Sequence, residues 1–146
     1  MSAQTCGINA KTLHSLTLEL QGCDQIVAAF LHGSAARGGL RPDSDVDVAL
    51  LLKPGQKLPT QVLLSLAVNA EKILGRKLHL GLLSLDNLIF ATEVYQNGRE
   101  LFCREPELRD RFFMDLLSRY VEFNRARQVV LDAYLIKEGE NEYSAE

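Results

Sequence analysis

Leu31-His32-Gly33-Ser34-Ala35-Ala36-Arg37-Gly38-Gly39-Leu40-Arg41-Pro42-Asp43-Ser44-Asp45-Val46-Asp47-Val48-Ala49-Leu50-Leu51-Leu52 carries two chemical devices in a fixed order. The first is an apolar strand, Gln25 to Leu31, that runs into Gly-Ser-Ala-Ala-Arg-Gly. Small residues there let the backbone approach an anion closely, and a turn of helix over Ser34 to Arg37 would point its N–H groups at it. Phosphate is the natural ligand of such a turn. The second device is Asp45 and Asp47 at the head of another apolar strand, Val46 to Leu52. A spacing of two puts both carboxylates on one face of that strand. Like charges so placed repel and resist desolvation unless a cation lies between them. Magnesium takes one or two carboxylates together with phosphate oxygens and water, so the two devices side by side describe a metal–nucleotide site. An Asp-x-Asp spacing alone is commonplace in solvated turns, and the glycine-serine turn before it is what gives the pair meaning.

Outward from this stretch, Leu13, Leu16 and Leu20 predict a first helix that stops at Gly22, behind a polar and frayed Met1 to Ala10. Gly38, Gly39 and Pro42 force a loop between the two strands. Thr60 is a candidate cap for a helix over Gln61 to Leu74, with Leu63, Leu66, Ala67, Ala70, Ile73 and Leu74 inward and Gly75 as its stop. A third strand follows at Lys77 to Leu83, and Ser84 offers a cap for a helix over Asp86 to Gln96. Glu100 to Cys103 reads as a short edge strand. In a final helix from Glu107 to about Lys137, Leu108, Phe112, Leu116, Tyr120, Val130 and Tyr134 fall near one inner stripe. Phe113 and Phe123 lie off that stripe and suggest a docking face for a partner. This order predicts one α+β (mixed α/β) domain over residues 1–146, a small sheet with helices packed against it, its core at about 25–103.

Composition narrows the function classes. The chain has 146 residues, 47% hydrophobic and 24% charged, enough to bury a core without disulfides or a structural metal. Its three cysteines, Cys6, Cys23 and Cys103, form no CxxC pair, which fits a cytoplasmic location. No apolar run is long enough to cross a bilayer. Net charge is -3 with the basic residues scattered among acids, so a nucleic-acid partner is not expected. There is no Walker loop, GxGxxG, HExxH or GxSxG.

Gly33-Ser34, ten residues, then Asp45-x-Asp47, flanked by apolar strands, resembles the signature of the nucleotidyltransferase superfamily that includes DNA polymerase β. Gly98-Arg99-Glu100-Leu101-Phe102 and Leu117-Ser118-Arg119-Tyr120 are similar to segments of one branch of it, the minimal nucleotidyltransferase (MNT) domain, the antitoxin-type partner of HEPN-domain toxins. The resemblance spans about Gln25 to Leu135. It implies that Gly33 and Ser34 hold a nucleoside triphosphate, ATP by likeness, and that Asp45 and Asp47 hold Mg²⁺ and are catalytic. Arg37 either reaches the phosphates or is an exposed helix arginine. The implied function is Mg-dependent transfer of AMP to a hydroxyl of a partner protein, a HEPN toxin, since the chain leaves little length for an acceptor-binding domain.

One departure stands out. Active relatives usually carry a third carboxylate on the next strand, and here that strand reads Lys77-Leu78-His79-Leu80-Gly81-Leu82. His79 is a poor magnesium ligand; it is either a proton acceptor at the catalytic site or a hydrogen-bonded histidine at a strand centre. It keeps open an impaired nucleotide-binding or toxin-docking module. A small-molecule nucleotidyltransferase is the remaining alternative. His32 precedes the Gly-Ser turn where relatives carry Phe, and is read as packing with a polar tip. His14 is read as a surface residue.

Overall fold

Ile26-Val-Ala-Ala-Phe-Leu-His32 and Val46-Asp-Val-Ala-Leu-Leu-Leu52 are apolar on both sides of the chain, and each becomes a strand sealed on both faces. The computed structural model describes residues 7–38 and 44–144. Helix α1 (Ala10–Gln21) leads into β1 (Ile26–His32) and β2 (Val46–Leu52), followed by α2 (Thr60–Leu74) and β3 (Leu78–Leu82). The chain continues through α3 (Leu88–Asn97) and β4 (Arg99–Cys103) to the long α4 (Pro106–Ser144). The expected element order and the mixed α+β class are what the structure shows.

The four strands lie in the order β3-β2-β1-β4. β1 runs antiparallel to β2 and β4, whereas β2 and β3 are parallel. A parallel pair needs a crossover, which α2 supplies. One face of the sheet, with Ala29, Leu31, Val46, Val48 and Leu50, packs on Leu16 and Leu20 of α1 and Leu66 and Ala70 of α2. The other face, with Ala28, Phe30, Ala49 and Leu51, packs on Ala91 and Val94 of α3 and Leu116 of α4. Helices on both sides explain why β1 and β2 read as continuous apolar runs instead of alternating ones.

Several local expectations are corrected. Ile8 is buried in the first cluster and Asn9 caps α1 by accepting from Thr12 N–H at 2.8 Å, so residues 8–10 are not frayed, and residues 1–6 lie outside the described residues. Thr60 is the first residue of α2, and its cap position is Pro59, which has no capping side-chain bond. The cap of α3 is Asn87, accepting from Phe90 N–H at 3.3 Å, while Ser84 accepts from Asp86 N–H in the preceding turn. Asp86 is therefore outside the helix. After Gly33 the chain makes a turn closed by Arg37 N–H to Gly33 C=O at 3.3 Å, with no regular helix. Gly39 and Pro42 of the expected loop lie outside the described residues, as does Cys6; Cys23 and Cys103 are free.

α4 departs most from its sequence pattern. It is 39 residues long, about 58 Å at the usual rise, and extends past Lys137. Leu108, Phe112 and Leu116 pack on the sheet, and so does Phe113, its ring 5.6 Å from Phe30 and 5.0 Å from Tyr95. Phe113 is thus core and not docking surface. Val130 and Tyr134, expected inward, are exposed, as are Val121, Phe123, Leu131 and Leu135. The helix simply outruns the domain it packs against.

Candidate functional site

Asp47 is the second residue of β2 and Asp45 stands just before the strand, so the strand's register fixes the direction of both carboxylates. The parallel pairing sets Asp47 beside His79 and the antiparallel pairing sets it beside His32. Three polar side chains from three strands consequently meet on the α3/α4 face of the sheet, at its open end. His79 Nε2 lies 3.3 Å from Asp45 Oδ2 and His79 Nδ1 lies 3.3 Å from Asp47 Oδ1. A neutral imidazole donates from one nitrogen only, so the ring satisfies one carboxylate fully unless it is doubly protonated. With its side chain 66% exposed, His79 is an open, hydrogen-bonded bridge between the two acids.

The glycine-serine turn belongs to the same site. Gly33 has φ +66°, and a Cβ built on it would stand 2.8 Å from Asp47 Oδ2. Both facts demand glycine: the backbone is left-handed and the carboxylate fills the space a side chain would need. Ser34 is half-buried next to it, and Ala35 is anchored in the first cluster. Arg37 is 60% exposed and pairs with Glu93 of α3 at 3.5 Å. A phosphate would have to draw Arg37 away from Glu93, a weak surface pair.

Sequence reasoning did not single out α3 as a wall of the site. Phe90 sits edge-on to His32, ring centroids 5.1 Å apart, and presses against Gly81, where an added Cβ would meet its ring at 2.7 Å. Burial lowers the pKa of His32 below its ordinary value, opposed by the nearby Asp47 and Glu93. Glu93 also accepts from Asn97 at 2.9 Å. The glycine in the third strand was the available signal, since a glycine inside a strand often marks a close approach.

Among the described residues no group of three or more His, Cys, Asp and Glu is arranged to hold a metal by itself. Asp45 Oδ2 and Asp47 Oδ1 each contact a different nitrogen of the one His79 ring, and two carboxylates so close together offer a partial oxygen site, the kind magnesium completes with phosphate oxygens and water. A cavity of about 740 Å³ lies elsewhere, lined by Leu51 to Leu58, Leu82 to Asp86 and the first turns of α4. Asp86 and Asp115 are among its lining residues, and the glycine-serine turn is not.

The family model described as Polymerase beta, Nucleotidyltransferase matches residues 15–107, well over half of the chain. The chain belongs to that family. This nucleotidyltransferase domain also has clear structural neighbours. A chain of the crystal structure of a toxin-antitoxin with AMP-PNP is similar at 20% identity and TM-score 0.66, over 88% of this chain and 99% of that one. A chain of the MntA-HepT toxin-antitoxin matches at 18% identity and TM-score 0.64, over 87% and 99%. A third comes from the tri-AMPylated Shewanella oneidensis HEPN toxin in complex with MNT antitoxin, at 18% identity and TM-score 0.65, over 86% and 97%. At such identities they establish a shared fold. No curated protein matches the sequence. No helix among the described residues is long and apolar enough to cross a membrane.

Proposed function

We propose that this domain transfers AMP from Mg²⁺-bound ATP to a hydroxyl of a partner protein and serves as the MNT-type antitoxin of a HEPN toxin in the cytoplasm. The observation that carries the reading is the contact of Gly33 with Asp47, which makes the phosphate turn and the carboxylate pair one site. Gly33 and Ser34 would receive the triphosphate on backbone N–H groups, with Arg37 recruited from Glu93. Asp45 and Asp47 would hold Mg²⁺, which when bound neutralises charge developing on the phosphates. The acceptor oxygen forms its bond to the α-phosphorus, the bond from that phosphorus to the bridging oxygen breaks, and pyrophosphate leaves. The proton of the acceptor goes to an unprotonated ring nitrogen of His79, the titratable group already in contact with both acids. The shared fold with MNT–HEPN structures supports the choice of partner, and so does α4, whose Val121, Phe123, Leu131 and Leu135 are left open for a protein to cover.

Histidine in place of a third carboxylate favours a second reading, a domain that binds nucleotide and neutralises its partner by docking alone. Incubating the protein and its co-expressed partner with ATP and Mg²⁺ separates the two. Added AMP masses on the partner are expected; an unmodified partner in a stable complex would leave the docking module.

A further inference from the structure

The end of β2 away from the aspartates opens into the cavity of about 740 Å³, where an apolar floor lies under a cationic rim. Leu51, Leu58 and Leu83 are buried at its base. From α4 the cavity is lined by Leu108, Arg111, Phe112, Asp115 and Arg119, whose spacings of three and four make them one helix face. A helix face turned toward a core is ordinarily apolar along its length. This one includes two arginines. Lys53 and Lys57 come from the loop between β2 and α2, so the lining carries four lysines and arginines against two aspartates, Asp86 and Asp115, in a chain of net charge -3. Lys53 pairs with Glu105 at 3.9 Å. Lys57, Arg111 and Arg119 have no ion-pair or hydrogen-bond partner among the described residues. Asp115 stands four residues from both arginines, the spacing at which helix charges normally pair, and neither takes it.

We propose that this cavity is a second binding site, for a small amphipathic monoanion: a carboxylate head held at the cationic rim and an apolar body, of the size of a medium-chain fatty acid, laid on the leucine floor. The volume falls within the roughly 300–1,000 Å³ of small-molecule sites, which are mostly apolar with a few polar groups that fix orientation. Charge selects the head. Unpaired cations beside an apolar floor attract an anion, while Asp86 and Asp115 hold the excess to the strength that suits one negative charge and not a polyphosphate. The floor selects the body, because the hydroxyls and base edges of a nucleotide would lose water there without gaining partners. Leu52 lies five residues beyond Asp47, about 16 Å along the strand, so the site is separate from the aspartates and stands whatever reaction they perform.

The test uses the full chain and decanoate below its micelle threshold, read by calorimetry and by amide NMR shifts. One decanoate per chain is expected, with shifts at Leu58, Leu85, Leu108 and Arg111 and none at Val130 or Leu135 of the exposed α4 stripe. Each methylene removed from the tail should weaken binding about fourfold, so octanoate binds roughly fifteenfold more weakly. Decanol, which keeps the tail and lacks the charge, should bind about fivefold more weakly, and decyltrimethylammonium more weakly still. Arg111→Gln together with Arg119→Gln, both exposed positions, should weaken decanoate about fivefold and leave decanol unchanged. Leu85→Asp should weaken both ligands, with folding checked by thermal melts, and Lys57→Gln repeats the rim test from the loop if either variant fails to fold. Absence of saturable binding, equal affinity for decanoate and the ammonium, or rim variants that bind decanoate as wild type does would overturn the proposal. So would shifts confined to the α4 stripe, or shifts at Gly33 and Asp47 reversed by MgATP, which would put decanoate at the head of β2.

Discussion

The two ends of β2 divide the molecule's properties between them. At its head, Asp45 and Asp47 meet Gly33 and His79 on an open ledge; at its tail, Leu51 and Leu52 run into a cavity of about 740 Å³. The tail has an apolar floor that includes Leu58, Leu85 and Phe112, with Lys57, Arg111 and Arg119 around it. Volume therefore lies at one end and chemistry at the other. Enclosure by apolar walls suits ligands that must be desolvated to bind. A triphosphate brings its own cation and is gripped through backbone N–H groups and carboxylates, so the head needs convergence more than depth.

The largest effect should come from breaking the head. Asp45→Asn together with Asp47→Asn keeps shape and removes the charge that would retain a cation. Mg²⁺-dependent ATP binding, read by calorimetry, should fall by well over tenfold, about 1.4 kcal/mol or more. Lys57→Ala and Arg111→Ala at the tail should leave it unchanged. If the tail variants weaken binding and the head pair does not, the assignment of the two ends is reversed.

A second, smaller effect tests whether the head is impaired. His79→Asp puts a third oxygen donor opposite Asp47 in the register and should raise AMP transfer by about tenfold, part of the 10²–10⁴-fold that a well-placed base supplies. His79→Ala completes the comparison. Should alanine abolish transfer while aspartate fails to exceed wild type, histidine alone suffices as the base and the head is not impaired.

What was legible in the sequence was whatever local chemistry determines. The turn at Gly33, the strand carrying Asp47 and the stop at Gly75 follow from residue types and spacings within a few positions. The meeting of His79 with both aspartates depends on the register that the α2 crossover imposes, and a spacing count cannot supply it. Periodicity in α4 showed that an apolar stripe exists but not where its cover ends. Leu116 is fully buried, while Val130 and Tyr134 continue the same stripe beyond the last packed turn. Phe113 was misread for the complementary reason: two elements, β1 and α3, reach around the helix to cover a residue beside the stripe. Thr60 and Ser84 are good capping residues that the helix starts bypass, because Pro59 and Asn87 are where the chain turns into α2 and α3.

The smallest effect concerns His32, the packed member of an otherwise open head. Burial against Phe90 lowers its pKa, and the attraction of Asp47 and Glu93 offsets this only in part. The unfolded chain takes up this proton near pH 6.5, before the folded protein does. Protons are then bound more by the unfolded state, so the stability gained from a neutral His32 is complete above that pH and is lost as pH falls through the window down to the folded value. His32→Phe keeps a ring against Phe90 and removes the proton. Urea midpoints at pH 8.5, 7.5 and 5.5 should show a nearly constant difference between variant and wild type at the upper two values and a shift in favour of the variant at 5.5. The slope cannot exceed that of one proton, about 1.4 kcal/mol per pH unit. A pH-independent difference would mean that His32 is fully hydrated, and that the head of the sheet has no buried polar member.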